Sequence, residues 1–183
     1  MFESCEDEVF VDAGAYNGDT AVEFSDWAKG NYKKIYAMEP NHEMKDAIIQ
    51  RLQENGVDRV EIVNCAAWDK KETIYFDVEK DPSGSKVCDD SECVVQGLDI
   101  DTMVGSDKVT FIKMDIEGSE LNALIGARKT IDKYHPRLAV CVYHKPMDLA
   151  DLGNYILDIY PDYKLYLRHY SADMQEMVLY AIP

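Results

Sequence analysis

Apolar runs with strand character alternate with helically spaced apolar residues almost from end to end of this chain. That alternation restricts it to a mostly parallel sheet covered by helices. "EVFVDAG" reads as the first strand. Residues 20–29 then carry Ala21, Val22, Phe24, Trp27 and Ala28 at helical spacing, with Asp19 expected as N-cap and Gly30 as stop. "KIYAMEP" is a second strand ended by Pro40. The helix from about His42 to Asn55 is expected to bury Met44, Ala47, Ile48 and Leu52 before Gly56 closes it. "VEIVNCAAW" reads as a third strand, "ETIYFDV" as a following strand or hairpin arm, and residues 79–93 as a polar, mobile loop. "VTFIKMD" and "RLAVCVY" are further buried strands, each followed by a helix. One of these helices presents Leu121, Leu124, Ile125 and Ile131, the other Leu149, Leu152, Ile156 and Ile159. "YKLYLRHY" and "EMVLYAIP" close the chain as an antiparallel hairpin. The expected architecture is a doubly wound α/β sheet with an antiparallel C-terminal edge, in one domain over residues 1–183.

Composition narrows the partners. With 46% apolar and 10% aromatic residues, 183 residues can bury a core. A net charge of −16 argues against a nucleic-acid backbone as ligand. No apolar run approaches the roughly 18 residues that span a membrane, and "MFESCEDE" lacks the features of a secretory signal. Five scattered cysteines suit a reduced, cytoplasmic protein. The close pair Cys88 and Cys93 lacks a second pair at zinc-finger spacing.

In open α/β sheets ligands bind outside the carboxyl ends of the strands. Here those ends carry Asp12-Ala13-Gly14, Glu39, Cys65-Ala66-Ala67, Asp115 followed by Glu117 and Gly118, and Tyr143-His144. Each alone is an ordinary turn, but five at one edge mark a cleft. Gly14 and Gly18 let the backbone turn and approach a ligand. The dinucleotide pattern G-x-G-x-x-G is absent, because Tyr16 stands where its second glycine belongs. Asp12 and Asp19 would crowd a pyrophosphate with like charge. A ligand carrying an ammonium and a sulfonium reverses that sign, and Glu39 lies where ribose hydroxyls find their acceptor. S-adenosyl-L-methionine therefore fits better than NAD.

At these motifs the chain resembles class I methyltransferases and, more closely, the FkbM-type family. The marks are "VFVDAGAYNGDT", "YAMEP", "VNCAAWD", "LDIDTM" and above all "FIKMDIEGSELNALIGA", with "VYHKPMDL", "YKLYLRHYS" and "LYAIP" near the end. The resemblance implies a seven-stranded sheet with its last strand antiparallel, and O-methylation, often of sugar hydroxyls. It implies cofactor contacts at Asp12, Gly14, Ala15, Tyr16 and Gly18, ribose held by Glu39, adenine bordered by Ala66 and Ala67, and Asp115 near the reactive methyl. Two departures stand out. Many members carry Asn at the position of Tyr16. Members also often have helical sequence before the first strand, which here starts by about Glu8, so part of the usual lid is expected to be missing or the chain to be a trimmed domain.

An alcohol acceptor must lose a proton. His144 is the first expected general base, because an imidazole of ordinary pKa, about 6.5, suits neutral pH; His169 is the second. Asp115 and Glu117 can orient the acceptor or, with His144, hold a divalent metal such as Mg²⁺ or Mn²⁺. The commoner explanation of Glu117 and Glu120 is that acids favour a helix start. Lys113, one strand step before Asp115, is expected on the same side of the sheet as partner of a buried carboxylate. "YHK" and "RHY" are expected to wall a small-molecule or carbohydrate acceptor. The competing readings are an NAD-linked oxidoreductase or epimerase, and a non-catalytic binding module.

Overall fold

The computed structural model describes residues 4–77, 86–88, 93–172 and 175–183. Its centre is β1 (Glu8–Ala13), buried at every position, as expected for a strand covered on both faces. The chain passes through α1 (Asp19–Trp27), β2 (Tyr32–Met38), a 3₁₀ turn at His42–Met44, α2 (Lys45–Glu54) and β3 (Val60–Val63). It then crosses to the other side of β1 with β8 (Phe111–Met114), α4 (Glu120–Gly126), α5 (Arg128–Tyr134), β9 (Arg137–Cys141) and α6 (Asp148–Ile159). The hairpin of β10 (Lys164–His169) and β11 (Met177–Ile182) completes a seven-stranded sheet in the order β10-β11-β9-β8-β1-β2-β3. The hairpin lies at the sheet edge, but the antiparallel strand is β11, inserted between β9 and β10.

Strand alternation divides the core. Phe10 and Ile35 of the sheet pack against Phe24 of α1 and Ile48 and Leu52 of α2, with the Phe10 and Phe24 rings stacked at 4.3 Å. Val9, Val11, Ile112, Met114, Leu124, Ile131 and Ile156 fill the side covered by α4, α5 and α6. At the end of β1 remote from the cleft, the buried Glu8 bonds Arg137 and Thr110, fastening β1 to its neighbours.

Several expectations change. The third strand is two. After β3 the chain turns at Asn64, whose side-chain amide donates to the Glu39 carbonyl (2.7 Å). β4 (Ala66–Ala67) then joins a separate four-stranded sheet, ordered β4-β7-β5-β6, with β5 (Glu72–Asp77), β6 (Lys86–Val87) and β7 (Val94–Leu98). Lys86–Val87 is thus strand, paired with Phe76 and Asp77. The rest of the expected loop, residues 79–85 and 89–92, including the segment between Cys88 and Cys93, lies outside the described residues. A short α3 (Ile100–Val104) follows β7, capped by the Asp99 side chain on Thr102 N (2.8 Å). Helix α1 takes Gly18, in the left-handed region, as its N-cap in place of Asp19.

The phase of the helix after β8 also differs. Glu120 is buried and accepts from the amides of Ile116 (3.0 Å) and Gly118 (3.4 Å). Turning that residue inward directs Ala123, Leu124 and Ala127 to the core and leaves Leu121 and Ile125 exposed. Ala47 and Leu149 are likewise exposed, each lying one helical step off the buried face of its helix.

Candidate active site

The order of strands reverses between β1 and β8, and a cleft of about 520 Å³ opens beyond their carboxyl ends. The position agrees with the rule for open α/β sheets. Gly14, Tyr16, Glu39, Ala66, Ala67 and Asp115 all line it, as do Asp19, Glu117 and Tyr143. The second sheet contributes Phe76 and Val87, which the sequence reading missed.

The β1 turn is tightly determined. Gly14 sits at φ +86°, and a Cβ there would lie 1.9 Å from the Asp115 carbonyl oxygen, so only glycine fits. The amides of Gly14 and Ala15 both donate to the Met38 carbonyl (3.1 and 3.0 Å). Tyr16 follows at φ +46°, a conformation that asparagine tolerates better than tyrosine. Its amide donates to Glu39 Oε2 (2.8 Å) while Asn41 N donates to Glu39 Oε1 (2.9 Å). Glu39 is buried, and that burial raises its pKa against the pull of these two bonds. Each of its oxygens keeps a lone-pair direction for a further donor. Ala15 is fully buried and Gly18 shapes the helix entry, so both support the turn from behind.

Asp12 is not among the lining residues. It is fully buried beside Lys113, its register partner on β8, with 3.2 Å between Lys113 Nζ and Asp12 Oδ1. Burial pushes Asp12 up to about 6, with Lys113 pulling the other way. Burial opposes the charge on Lys113, but Asp12 and Asp115 outweigh it and raise its pKa. Lys113 also donates to the Gly14 carbonyl (2.8 Å). The expected buried lysine–carboxylate pair is therefore formed, and its lysine steadies the glycine turn.

On the β8–β9 side, Tyr143 Oη donates to Asp115 Oδ1 (3.2 Å). Burial and the Asp115 carboxylate raise the Tyr143 pKa, so this phenol stays a donor. His144 lies behind the wall, with Nε2 3.6 Å from both Asp115 Oδ1 and Glu117 Oε2, and Nδ1 3.0 Å from Glu120 Oε1. Burial disfavours its charged form, but Glu117 and Glu120 dominate and push it up to about 10. The ordinary imidazole pKa assumed from sequence is thus not met, because the turn at Glu117 and Gly118 (φ +54° and +91°) gathers carboxylates around the ring. His169 is exposed on β10, its Nε2 3.0 Å from the Gln175 carbonyl oxygen, and it does not line the cleft. Arg168 and Tyr170 instead line a second cavity of about 670 Å³ with Trp27, Tyr166 and Tyr180; it shares Thr20 and Lys113 with the cleft. Among the described residues, no helix is long and apolar enough to cross a membrane.

The profile of the "Methyltransferase FkbM domain" matches residues 12–170. The chain belongs to the FkbM methyltransferase family. A solved FkbM methyltransferase from Methylobacillus flagellatus superposes with a TM-score of 0.83 at 32% identity, over 99% of this chain and 45% of that one. This chain therefore spans less than half the length of that relative. An rRNA methylase from Streptococcus thermophilus (TM-score 0.62, 16% identity, 96% of this chain and 86% of that one) shares the fold. So does a Streptococcus mutans protein solved in complex with SAH (TM-score 0.60, 12% identity, 96% and 89%). No curated protein matches the sequence. The FkbM domain thus has the class I methyltransferase architecture: a seven-stranded, mostly parallel sheet with one antiparallel C-terminal strand.

Proposed function

We propose that this FkbM domain transfers a methyl group from S-adenosyl-L-methionine to a hydroxyl of a small-molecule or sugar-like acceptor. The observation that carries this reading is the charge of the cleft. Asp19, Glu39, Asp115, Glu117 and Glu176 line it, against Lys113 as the only basic residue among its described lining. Such a wall suits a cationic nucleoside and repels a diphosphate. The SAH bound to the Streptococcus mutans protein of the same fold agrees with that choice.

The residues present fit the group. Glu39 has free lone pairs for ribose hydroxyls, Ala66 and Ala67 leave a flat wall beside an adenine, and Gly14 lets the β1 turn approach without a side chain in the way. Asp12 acts from behind: by holding Lys113 it fixes the Gly14 carbonyl, and it is not itself the contact for an ammonium. The cofactor supplies a methyl on a sulfonium. On transfer to oxygen the C–O bond would form as the C–S bond breaks, the electron pair of the latter would pass to sulfur, and the hydroxyl proton would be left to the protein.

That proton directs the choice of acceptor. A neutral amine attacks with its lone pair and sheds its proton to solvent afterwards, whereas a hydroxyl needs a base beside it during attack. Asp115 stands at the cleft with one oxygen accepting from Tyr143, so its carboxylate receives the proton while His144 and Tyr143 orient it. Held protonated near neutrality, His144 serves as the positive partner of that carboxylate. Alignment of the acceptor oxygen supplies several kcal/mol of the acceleration. The aromatic cavity next to the cleft, with Arg168 at its rim, supports a sugar-like acceptor, since aromatic faces stack on sugar rings. The acidic surface supports neither a nucleic-acid partner nor an anionic membrane, and a cytoplasmic location accords with it.

Calorimetric titration with S-adenosylhomocysteine and, separately, with NAD tests the reading. Saturable binding of the former alone is expected. Binding of NAD alone would replace it with the oxidoreductase reading.

A further inference from the structure

Behind the reacting end of the cleft, one imidazole lies among carboxylates. The His144 side chain is only 7% exposed, and neither ring nitrogen completes a hydrogen bond. Its Nε2 is aimed between Asp115 and Glu117, 3.6 Å from an oxygen of each. A buried ring whose Nε2 points, without a hydrogen bond, into a pair of acids distinguishes this cluster from a solvated acidic patch. One ligand atom from each of Asp115, Glu117 and His144 falls within 4.8 Å of the others. A six-coordinate cation with ligands at about 2.2 Å sets neighbouring ligands about 3 Å apart and opposite ones about 4.4 Å apart. The 3.6 Å separations of Nε2 from the two carboxylate oxygens fall within that range.

The geometry points to a divalent cation of the Mn²⁺ or Mg²⁺ class, held by Asp115, Glu117 and His144 Nε2, with its open positions facing the acceptor hydroxyl. Two carboxylates with one imidazole form an oxygen-rich set suited to these ions. Asp115 and Glu117 remain 34% and 30% exposed and line the cleft, so the unfilled part of the sphere opens towards a substrate. Glu120 supplies the outer support that metal-bound histidines need. It faces Nδ1 at 3.0 Å and is itself fixed by the amides of Ile116 and Gly118, which leaves Nε2 as the ligating nitrogen. To ligate, the ring gives up its Nε2 proton and keeps the one on Nδ1, which faces Glu120; the carboxylates of the cluster then stand in excess, and a divalent ion offsets them. A hydroxyl bound to that ion loses its proton more readily and is held in place for attack.

The cation site stands on its three ligands; only its role towards a hydroxyl rests on the methyl-transfer reading. Titration of the whole chain with Mn²⁺, followed by loss of the free-ion electron paramagnetic resonance signal, is expected to show one saturable site for which Mg²⁺ competes. Asp115→Asn with Glu117→Gln is expected to weaken Mn²⁺ at least tenfold. Should the double variant not fold, Glu117→Gln alone gives the same readout at a partly exposed carboxylate. Unchanged Mn²⁺ affinity in the variant overturns the ligand assignment. A chain that binds S-adenosylhomocysteine but shows no saturable Mn²⁺ overturns the cation site and leaves the preceding reading intact. A chain that takes Mn²⁺ with the expected loss in the variant, but binds no S-adenosylhomocysteine, supports the site and overturns that reading instead.

Discussion

The two walls of the cleft differ in how complete they are. On the β1–β2 side the groups that face the cleft are held by hydrogen bonds and close fit: Glu39 receives two backbone amides, Lys113 donates to the Gly14 carbonyl, and Gly14 fits against Asp115 with no room for a side chain. Behind them Asp12, ion-paired with Lys113, and the Asn41 side-chain nitrogen are buried without a hydrogen bond. On the β8–β9 side, both nitrogens of His144 and one oxygen of Glu120 are buried without a hydrogen bond. A wall finished before any ligand arrives is a holding surface, pre-organised so that little ordering cost falls on binding. A wall with uncompensated charge takes part in the reaction, because incoming groups complete it.

The most severe test of the finished wall is Gly14→Ala. Its added carbon would collide with the Asp115 carbonyl at a left-handed backbone position. A loss of about 3 kcal/mol or more in urea unfolding is expected, with S-adenosylhomocysteine binding lost as well. Near-normal stability would show that the two turns are not locked together.

Next in size is a pH effect at Asp12. Burial raises this carboxyl from 3.8 to about 6, so the folded state holds its proton more tightly than the unfolded chain. The stability this contributes is complete below about pH 4 and is lost as pH rises through about 6, a change of ~3 kcal/mol. Asp12→Asn cannot titrate. The stability of the wild type relative to this variant is therefore expected to fall by that order between pH 4 and pH 8, measured by denaturant titration. A flat difference would mean that Lys113 fully compensates the buried charge.

Glu39→Gln comes third. It keeps one amide acceptor and puts a donor in place of the other, at an expected cost of about 1–2 kcal/mol in thermal unfolding. Smallest is Tyr143→Phe, which removes a single hydrogen bond to Asp115 on the unfinished wall. Stability within about 1 kcal/mol of wild type is expected, with a several-fold lower transfer rate in a methyl-release assay.

Much of this arrangement was legible in the sequence, for physical reasons that also mark the limits. The main-sheet strands other than the exposed edge strand β10 are fully or half-buried, largely apolar runs, and strand ends must carry the ligand-facing residues, so Gly14, Glu39, Ala66, Ala67 and Asp115 could be placed beforehand. The small sheet was hidden. Ala66–Ala67 looked like a continuation of β3 until Asn64 was seen to bond the Glu39 carbonyl, and Val94–Leu98 adjoined a polar run. Phe76 and Val87 were consequently missed. Glu120 looked like an ordinary acid at a helix start; the signal was its place in "EGSE", two residues after a glycine whose amide needed an acceptor. Its inward turn both shifted the phase of α4 and raised the pKa of His144. A side chain's ionisation depends on neighbours brought in by backbone turns, and no spacing rule contains that.

The division of labour between the walls is tested most directly by calorimetric titration of S-adenosylhomocysteine into Glu39→Gln and Asp115→Asn, compared with the unaltered chain. The account predicts that the Glu39 change weakens binding at least tenfold while the Asp115 change alters it less than threefold and abolishes methyl release. Equal loss of affinity in both variants, or loss confined to Asp115→Asn, would contradict it.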